Sequence, residues 1–480
     1  MSRVGSGIIN VITESLYDNP IVVFREYVQN SVDSIYKSDN TSERDIRIYL
    51  QEDKLYFADS GNGIEKELFD AQMSGIADSS KLKQNNLGYK GIGRLSGLPY
   101  CDCLNFINIL DYDQDEFQQY SLDGKKYAEE KSSEQTQNLS VEEFFQVLSE
   151  KKHKFQNIDE CFGMVYALKD YFKKHNKGFL VIMENISPVL KNTIYSDKFE
   201  MNLSWLLPVD FLPEVCNEKE DIGEIVRFLR LDNQEGAPAR FCNIFYNDKK
   251  ILRPIGIDNF RNTVFQNNFE YAVGMITFNG QKIQIDKKNN FSGIRIYIDN
   301  MLLCDESELI PALANYGLLN HSVNGMIQTV RGIGAMIYIT DKINISANAR
   351  RTFIEITDND SLEFLRYLAE FVNDIYDARY ALSEYASVLK DKTKNQKDIE
   401  EKKSNALSAL CRFVSAKVAV EEIEDKCEIA ELSIQEKRTI IKKSITSRIS
   451  KELKEFIKQY NVENTETYYE DFLTWIETHR

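Results

Sequence analysis

The chain has 480 residues, with 59 Lys and Arg against 75 Asp and Glu, giving a formal net charge of −16 and a hydrophobic content of 42%. That balance excludes a uniformly basic nucleic-acid surface while leaving room for a local groove of Lys and Arg. No run reaches the roughly 18 apolar residues of a membrane span, and the length suits about three domains.

The eight cysteines are scattered and there are four histidines. Cys101 and Cys103 form C-x-C, without the C-x-x-C spacing or nearby histidines of a structural zinc site. Residues 1–5 carry no secretory signal, so the cysteines read as reduced thiols of a cytoplasmic protein.

In chain order, the first predicted element is a helix beginning near Phe24. Phe24, Val28, Val32 and Ile35 fall on one face, which should be core. Glu26, Asn30 and Asp33, spaced i, i+4, i+7, fall on the other. On its own such a polar stripe reads as a solvated helix face. A hairpin follows. Ile46, Ile48 and Leu50 alternate with polar residues, residues 51–53 turn, and residues 55–58 run back, which places Asp59 at a strand end. Gly61 and Gly63 then free the backbone to pass close to a ligand, although a plain Gly/Asn turn fits this segment equally well.

Next comes a polar stretch, 79–86, and a glycine-rich segment with Gly88, Lys90, Gly91 and Gly93. Successive N–H groups entering a helix suit phosphates. The segment is not a Walker A loop, because Arg94-Leu95 stands where Lys-Ser/Thr is required. Residues 111–156 are polar and charged. They read as a solvated insertion with a short helix near 141–145. From 202 to 356 the texture changes to short strands, among them 240–246, 274–278 and 293–298.

No proline follows Pro311, which permits long helices. Phe364, Leu368, Phe371, Ile375, Ala378, Leu382, Tyr385 and Leu389 form a heptad seam, either for an intramolecular bundle or for a dimerising coiled coil. A second seam runs through Ile441, Ile445, Ile449, Leu453, Phe456 and Tyr460. Residues 390–397 between the seams read as a charged linker or hairpin.

Taken together, E-x-x-x-N-x-x-D from Glu26, D-x-G-x-G from Asp59 and G-x-x-G-x-G from Gly88 resemble the nucleotide site of the GHKL ATPases, the gyrase, heat-shock chaperone, histidine kinase and MutL group. Within it, Ile12–Tyr17 and residues 293–300 look most like the ninety-kilodalton heat-shock chaperones, and residues 341–353 look like the chaperones' L-N-I-S-R-E segment or the N-R-x-x-F ending of related ATPases. The resemblance implies an α+β chain in three parts. Residues 1–200 would be a Bergerat-type α/β sandwich with an insertion at about 111–156. Residues 201–357 would be a transducer-like α/β domain, and 358–480 a helical region and candidate dimerisation element.

The resemblance also implies roles. Glu26 would be the general base for water, Asn30 the magnesium ligand, and Asp33 a support of the pocket rim. Asp59 would accept the adenine amine, with Gly61, Gly63 and Ile64 beside the base. Gly88, Gly91 and Gly93, with Lys90 nearby, would form the hinge of a lid closing on the phosphates. Arg351, or failing it Arg350, would reach the terminal phosphate from the second domain. One departure stands out: Phe179 occupies the position where the family usually has a threonine.

The implied activity is Mg2+-dependent ATP hydrolysis coupled to lid closure in a homodimer. The switch would be chaperone-like and act on a protein client. The alternative is an ATP-gated DNA clamp of the MORC or MutL kind in bacterial defence or repair. The C-terminal region is shorter than in typical heat-shock chaperones. A histidine kinase is disfavoured because none of His153, His175, His321 and His479 sits in a phosphoacceptor-like helix ahead of the ATP domain. A topoisomerase is disfavoured because the sequence holds no cleavage domain.

Overall fold

Helix α1 (Val22–Tyr36) is buried on nearly every side, which is unusual for a helix with this many polar residues. Its apolar face packs as its periodicity predicts, with Phe24, Val28 and Val32 fully buried and Phe24 set edge-on to Phe57 at 5.4 Å. The computed structural model describes residues 19–38, 44–74, 93–130, 139–149, 154–212, 239–253, 263–269, 272–278, 293–330, 333–339, 354, 356, 359–391 and 395–409.

Strands β1 (Asp45–Gln51) and β2 (Lys54–Asp59) form the expected hairpin, registered from Ile46 opposite Asp59 to Gln51 opposite Lys54. Glu52 takes φ 53° in the tight turn. Further strands are β3 (Cys101–Asp111), β4 (Glu116–Asp123), β5 (Gly178–Ile186), β6 (Asn243–Tyr246) and β7 (Lys249–Lys250). They complete a sheet of order β4-β3-β5-β2-β1-β6-β7.

Alternation divides the strand side chains between two faces. Ile46, Ile48, Phe57, Phe106 and Val181 meet α1 on one face. Tyr56, Ala58, Ile107, Leu180 and Ile182 meet Leu168 and Phe172 of the helix Tyr166–His175 on the other. The result is helix, sheet, helix.

Two features of this sheet differ from the sequence expectation. The polar segment after residue 111 is not a solvated excursion. It supplies edge strand β4 and a helix, Val141–Ser149, whose Phe144, Phe145 and Leu148 are buried in the main core. Ser140 and Glu143 close that helix with a reciprocal capping box. The second difference is β6, which runs parallel to β1 although it lies near residue 245. The expected break at residue 200 therefore falls between strands of one sheet.

The second sheet has order β11-β10-β12-β9-β8, built from β8 (Thr263–Phe269), β9 (Ala272–Phe278), β10 (Gly293–Ile298), β11 (Met301–Asp305) and β12 (Ile333–Ile339). Its helices include α2 (Glu306–Asn315), α3 (Val323–Val330) and the long α4 (Asn359–Lys390). The first heptad seam lies on α4. Phe364, Leu368, Phe371, Ile375, Ala378, Leu382 and Tyr385 are buried against this second unit of the same chain. Helix α5 (Gln396–Ala409) folds back on α4, and Lys402 reaches Glu384 at 2.9 Å. The two helices pair as a helical hairpin, and the seam is intramolecular; residues 392–394 of the charged segment between them lie outside the described residues. The second seam, at 441–460, lies outside the described residues.

Arg253 joins the two sheets. It is fully buried and lies 4.5 Å from the Tyr297 ring centroid. It donates to Asn300 Oδ1, to Tyr338 Oη at 3.0 Å, and to the carbonyls of Leu207 and Asn300, each at 2.9 Å. A buried guanidinium is stable only when its donors are met this completely. No described helix is long and apolar enough to cross a membrane.

Candidate functional site

The polar stripe of α1 is not a solvated face. Glu26 and Asp33 are 5% and 1% exposed, and Gln29 is buried with them. Charged residues are rarely buried this far without a partner or a task.

Asp33 has a structural partner. Its Oδ1 accepts from Arg240 Nη1 at 3.1 Å, and Arg240 Nε lies 3.8 Å from Asp299 Oδ2 on the β10–β11 turn. Asp33 thereby ties the end of α1 to the chain entering β6 and to the second sheet. Glu26 instead lies against the start of the 3-10 helix Gly93–Tyr100. A Cβ on Gly93 would overlap Glu26 Oε2, so only glycine permits this approach. The Arg25 guanidinium stands 3.5 Å from Glu26 Oε1.

Tyr27, the next residue, staples the same 3-10 helix. Its hydroxyl accepts from Gly97 N–H at 3.0 Å and donates to the Arg94 carbonyl at 3.1 Å. Helix α1 and the 3-10 helix are therefore joined by hydrogen bonds, with Glu26 beside Gly93. Asn30 is half-buried one turn beyond Glu26.

Asp59 is the last residue of β2 and is 4% exposed. Its Oδ1 accepts from Gly61 N–H at 3.0 Å, an Asx-type turn that starts the following loop. Cross-strand register places Asp59, Phe179 of β5 and Asn108 of β3 in one row. Registered residues share a face, so all three lie on the α1 side of the sheet. Gly63 has φ +66°, and a Cβ there would overlap Asn108 Oδ1. Ile64 packs at the edge of the main core.

Asn108 escaped the sequence reading, although an asparagine in the apolar run 104–110 was a usable signal. It is fully buried. Its Oδ1 accepts from Ile64 N–H at 2.9 Å and its Nδ2 donates to Ile64 O at 2.7 Å.

The structure therefore sets Glu26 against Gly93, and gathers Asp59, Gly61, Gly63 and Ile64 in one loop beside Asn108, with Ser34 of α1 against Gly61. Phe179 lies in the Asp59 row and offers no hydrogen-bonding side chain. Gly88, Lys90, Gly91, Arg350 and Arg351 lie outside the described residues, as do Ile12–Tyr17 and all of 341–353.

Residues 18–154 match the family model for histidine kinase-, DNA gyrase B- and HSP90-like ATPases. This stretch is similar to GHKL-type ATPase domains. A search of curated proteins finds no match.

Solved structures similar to the chain include the ATPase and transducer domains of DNA topoisomerase II from Balamuthia mandrillaris, at 10% identity and TM-score 0.34, covering 75% of this chain and 85% of that one. The ATPase region of Saccharomyces cerevisiae topoisomerase II is similar at 9% identity and TM-score 0.35, covering 72% and 82%. The same yeast region bound to ICRF-187 gives 10% identity and TM-score 0.36, covering 76% and 86%. Likeness at this level does not indicate what the chain acts on. Nothing in the comparisons singles out the heat-shock chaperones within the superfamily.

Proposed function

We propose that this protein binds ATP with Mg2+ at the α1 end of the first sheet, hydrolyses it, and uses the cycle to change conformation. The observation carrying the reading is the set of buried carboxylates, Glu26 against the Gly93 backbone and Asp59 at the tip of β2. A solvated helix and a plain turn would leave both exposed.

The residues suit the ligand. Asp59 presents a carboxylate acceptor for the adenine amine. Mg2+ keeps most of its water and phosphate ligands, so the single amide oxygen of Asn30 suffices from the protein. Glu26 acts as general base toward the attacking water, in a site where positioning and charge carry phosphoryl transfer. Gly88, Lys90, Gly91 and Gly93 form the phosphate lid, and Arg351, with Arg350 as the second choice, reports the terminal phosphate. The Asp33–Arg240–Asp299 contacts give the site helix a direct path to the second sheet.

The active form is a homodimer in the cytoplasm. The described cysteines, all free, fit a reducing compartment. The acidic net charge favours a chaperone-like action on a protein client over a DNA clamp. The test is phosphate release from ATP by the purified chain with Mg2+ and with EDTA. Release that requires Mg2+ supports the reading, and no release in either condition rejects it. Capture of a protein client, with no retention of duplex DNA at physiological salt, supports the chaperone-like branch. Salt-sensitive DNA retention replaces it with the clamp.

A further inference from the structure

We propose that Asn108 is a positioning residue that sets base selectivity, by holding the loop that orients Asp59. This rests on the ATP-site reading above and names a residue to which no motif assigns a role.

The loop from Gly61 to Lys66 has no strand to pair with, yet its backbone must present a fixed edge beside Asp59. Its polar groups are met by side chains. Asn108 contributes Oδ1 to Ile64 N–H and Nδ2 to Ile64 O, at 2.9 and 2.7 Å. This is the same reciprocal donor–acceptor pair that two residues of neighbouring antiparallel strands exchange. The amide of Asn108 therefore stands in for a missing ladder partner.

Gln118, its registered neighbour on β4, extends the pattern. Its Oε1 accepts from Asn108 Nδ2 at 3.1 Å, and its Nε2 donates to Lys66 O at 2.9 Å. Two amide side chains on adjacent strands thus hold two carbonyls of the loop, two residues apart. All three hydrogen bonds of the Asn108 amide are committed to this arrangement.

The other end of the loop is held by Asp59 itself, through Gly61 N–H at 3.0 Å. The carboxylate and the loop are mutually oriented, so slack at Ile64 is transmitted to the Asp59 oxygen. The row across the sheet leaves no substitute. Between Asp59 and Asn108 stands Phe179, which can pack against a base but cannot donate or accept. Gly63, at φ +66°, lies so close to Asn108 Oδ1 that a side chain would break the clamp.

The test is calorimetric titration of ATP, ADP and GTP into the full chain and its Asn108→Ala variant, with hydrogen exchange at Ile64. Losing both hydrogen bonds to Ile64, together with the one to Gln118, should weaken ATP and ADP alike, by on the order of tenfold or more, because both carry the same base. The preference for ATP over GTP should narrow, and the Ile64 amide should exchange faster without ligand.

Gln118→Ala, on the more exposed edge strand, should shift the same ratio less while folding normally. It keeps the test decisive if Asn108→Ala does not fold. Faster exchange at Ile64 with unchanged ATP affinity and unchanged base preference would overturn the proposal and leave Asn108 a structural residue. An unaltered parent chain that binds none of the three nucleotides would overturn both this proposal and the ATP-site reading. Normal parent binding with normal variant binding overturns this proposal alone.

Discussion

Replacing Asp59 by Asn isolates the base-reading interaction, because the geometry shows what the change preserves. The Asp59 oxygen that accepts from Gly61 N–H at 3.0 Å becomes an amide oxygen, a weaker acceptor that still takes this hydrogen bond. The Asx-type turn and the loop behind it stay in place. Asp59 is 4% exposed, so solvent does little to screen the lost charge. On the proposed ATP-site reading, what disappears is a charge-assisted hydrogen bond to the adenine amine, worth about 1.5–3 kcal/mol at a buried site. That is roughly ten- to a hundredfold in dissociation constant. Calorimetry should show the loss for ATP and ADP equally, and thermal unfolding without nucleotide should match the parent within a few degrees. Unchanged ATP affinity in the folded variant would remove Asp59 from the site. A loss confined to ATP would also refute the reasoning, since the base is common to both ligands.

Glu26→Ala should bind ATP with near-parent affinity and turn it over about 10²–10⁴ times more slowly; a parental rate in single-turnover assays would assign the base elsewhere. Arg351→Ala should slow hydrolysis with little change in affinity, because a cation that meets the phosphate only on closure acts mainly on the transition state. The same result from Arg350→Ala alone would move that role one residue earlier. Arg253→Ala should destabilise the fold by at least about 3 kcal/mol in chemical denaturation, since Asn300, Tyr338 and buried carbonyls lose their donor together. Parental stability would mean that water replaces the guanidinium without cost.

Local patterns were legible where the chemistry is local. The α1 apolar face, the β1–β2 hairpin and the position of Asp59 at a strand end all follow from periodicity and turn residues. The burial of Glu26 and Asp33 did not, because a polar stripe reads the same whether water or protein covers it. The motif order around Glu26, Asp59 and Gly88 carried that inference instead.

Strand β4 was obscured because an edge strand buries little, so Glu116, Gln118 and Gln119 mask its alternation. Pairing of β6 with β1 joins residues about two hundred positions apart, which no local pattern encodes. The seam from Phe364 to Tyr385 fits a coiled coil and a bundle equally well, and only the second sheet decides between them. Asn108 was overlooked because its partner is a loop backbone, which leaves no side-chain pattern in sequence.

The central claim is an ATP-driven conformational switch. In the proposed mechanism a triphosphate bridges the lid and the sensor, whereas a diphosphate lacks the group the sensor would touch, and a ligand shifts an equilibrium only through such differential contact. Small-angle scattering with sedimentation velocity on Glu26→Ala, which should hold ATP uncleaved, tests this directly. The account predicts a more compact particle of doubled mass with ATP and Mg2+, and not with ADP. Identical size and mass with both nucleotides would contradict it and leave a nucleotide-binding domain without a switch.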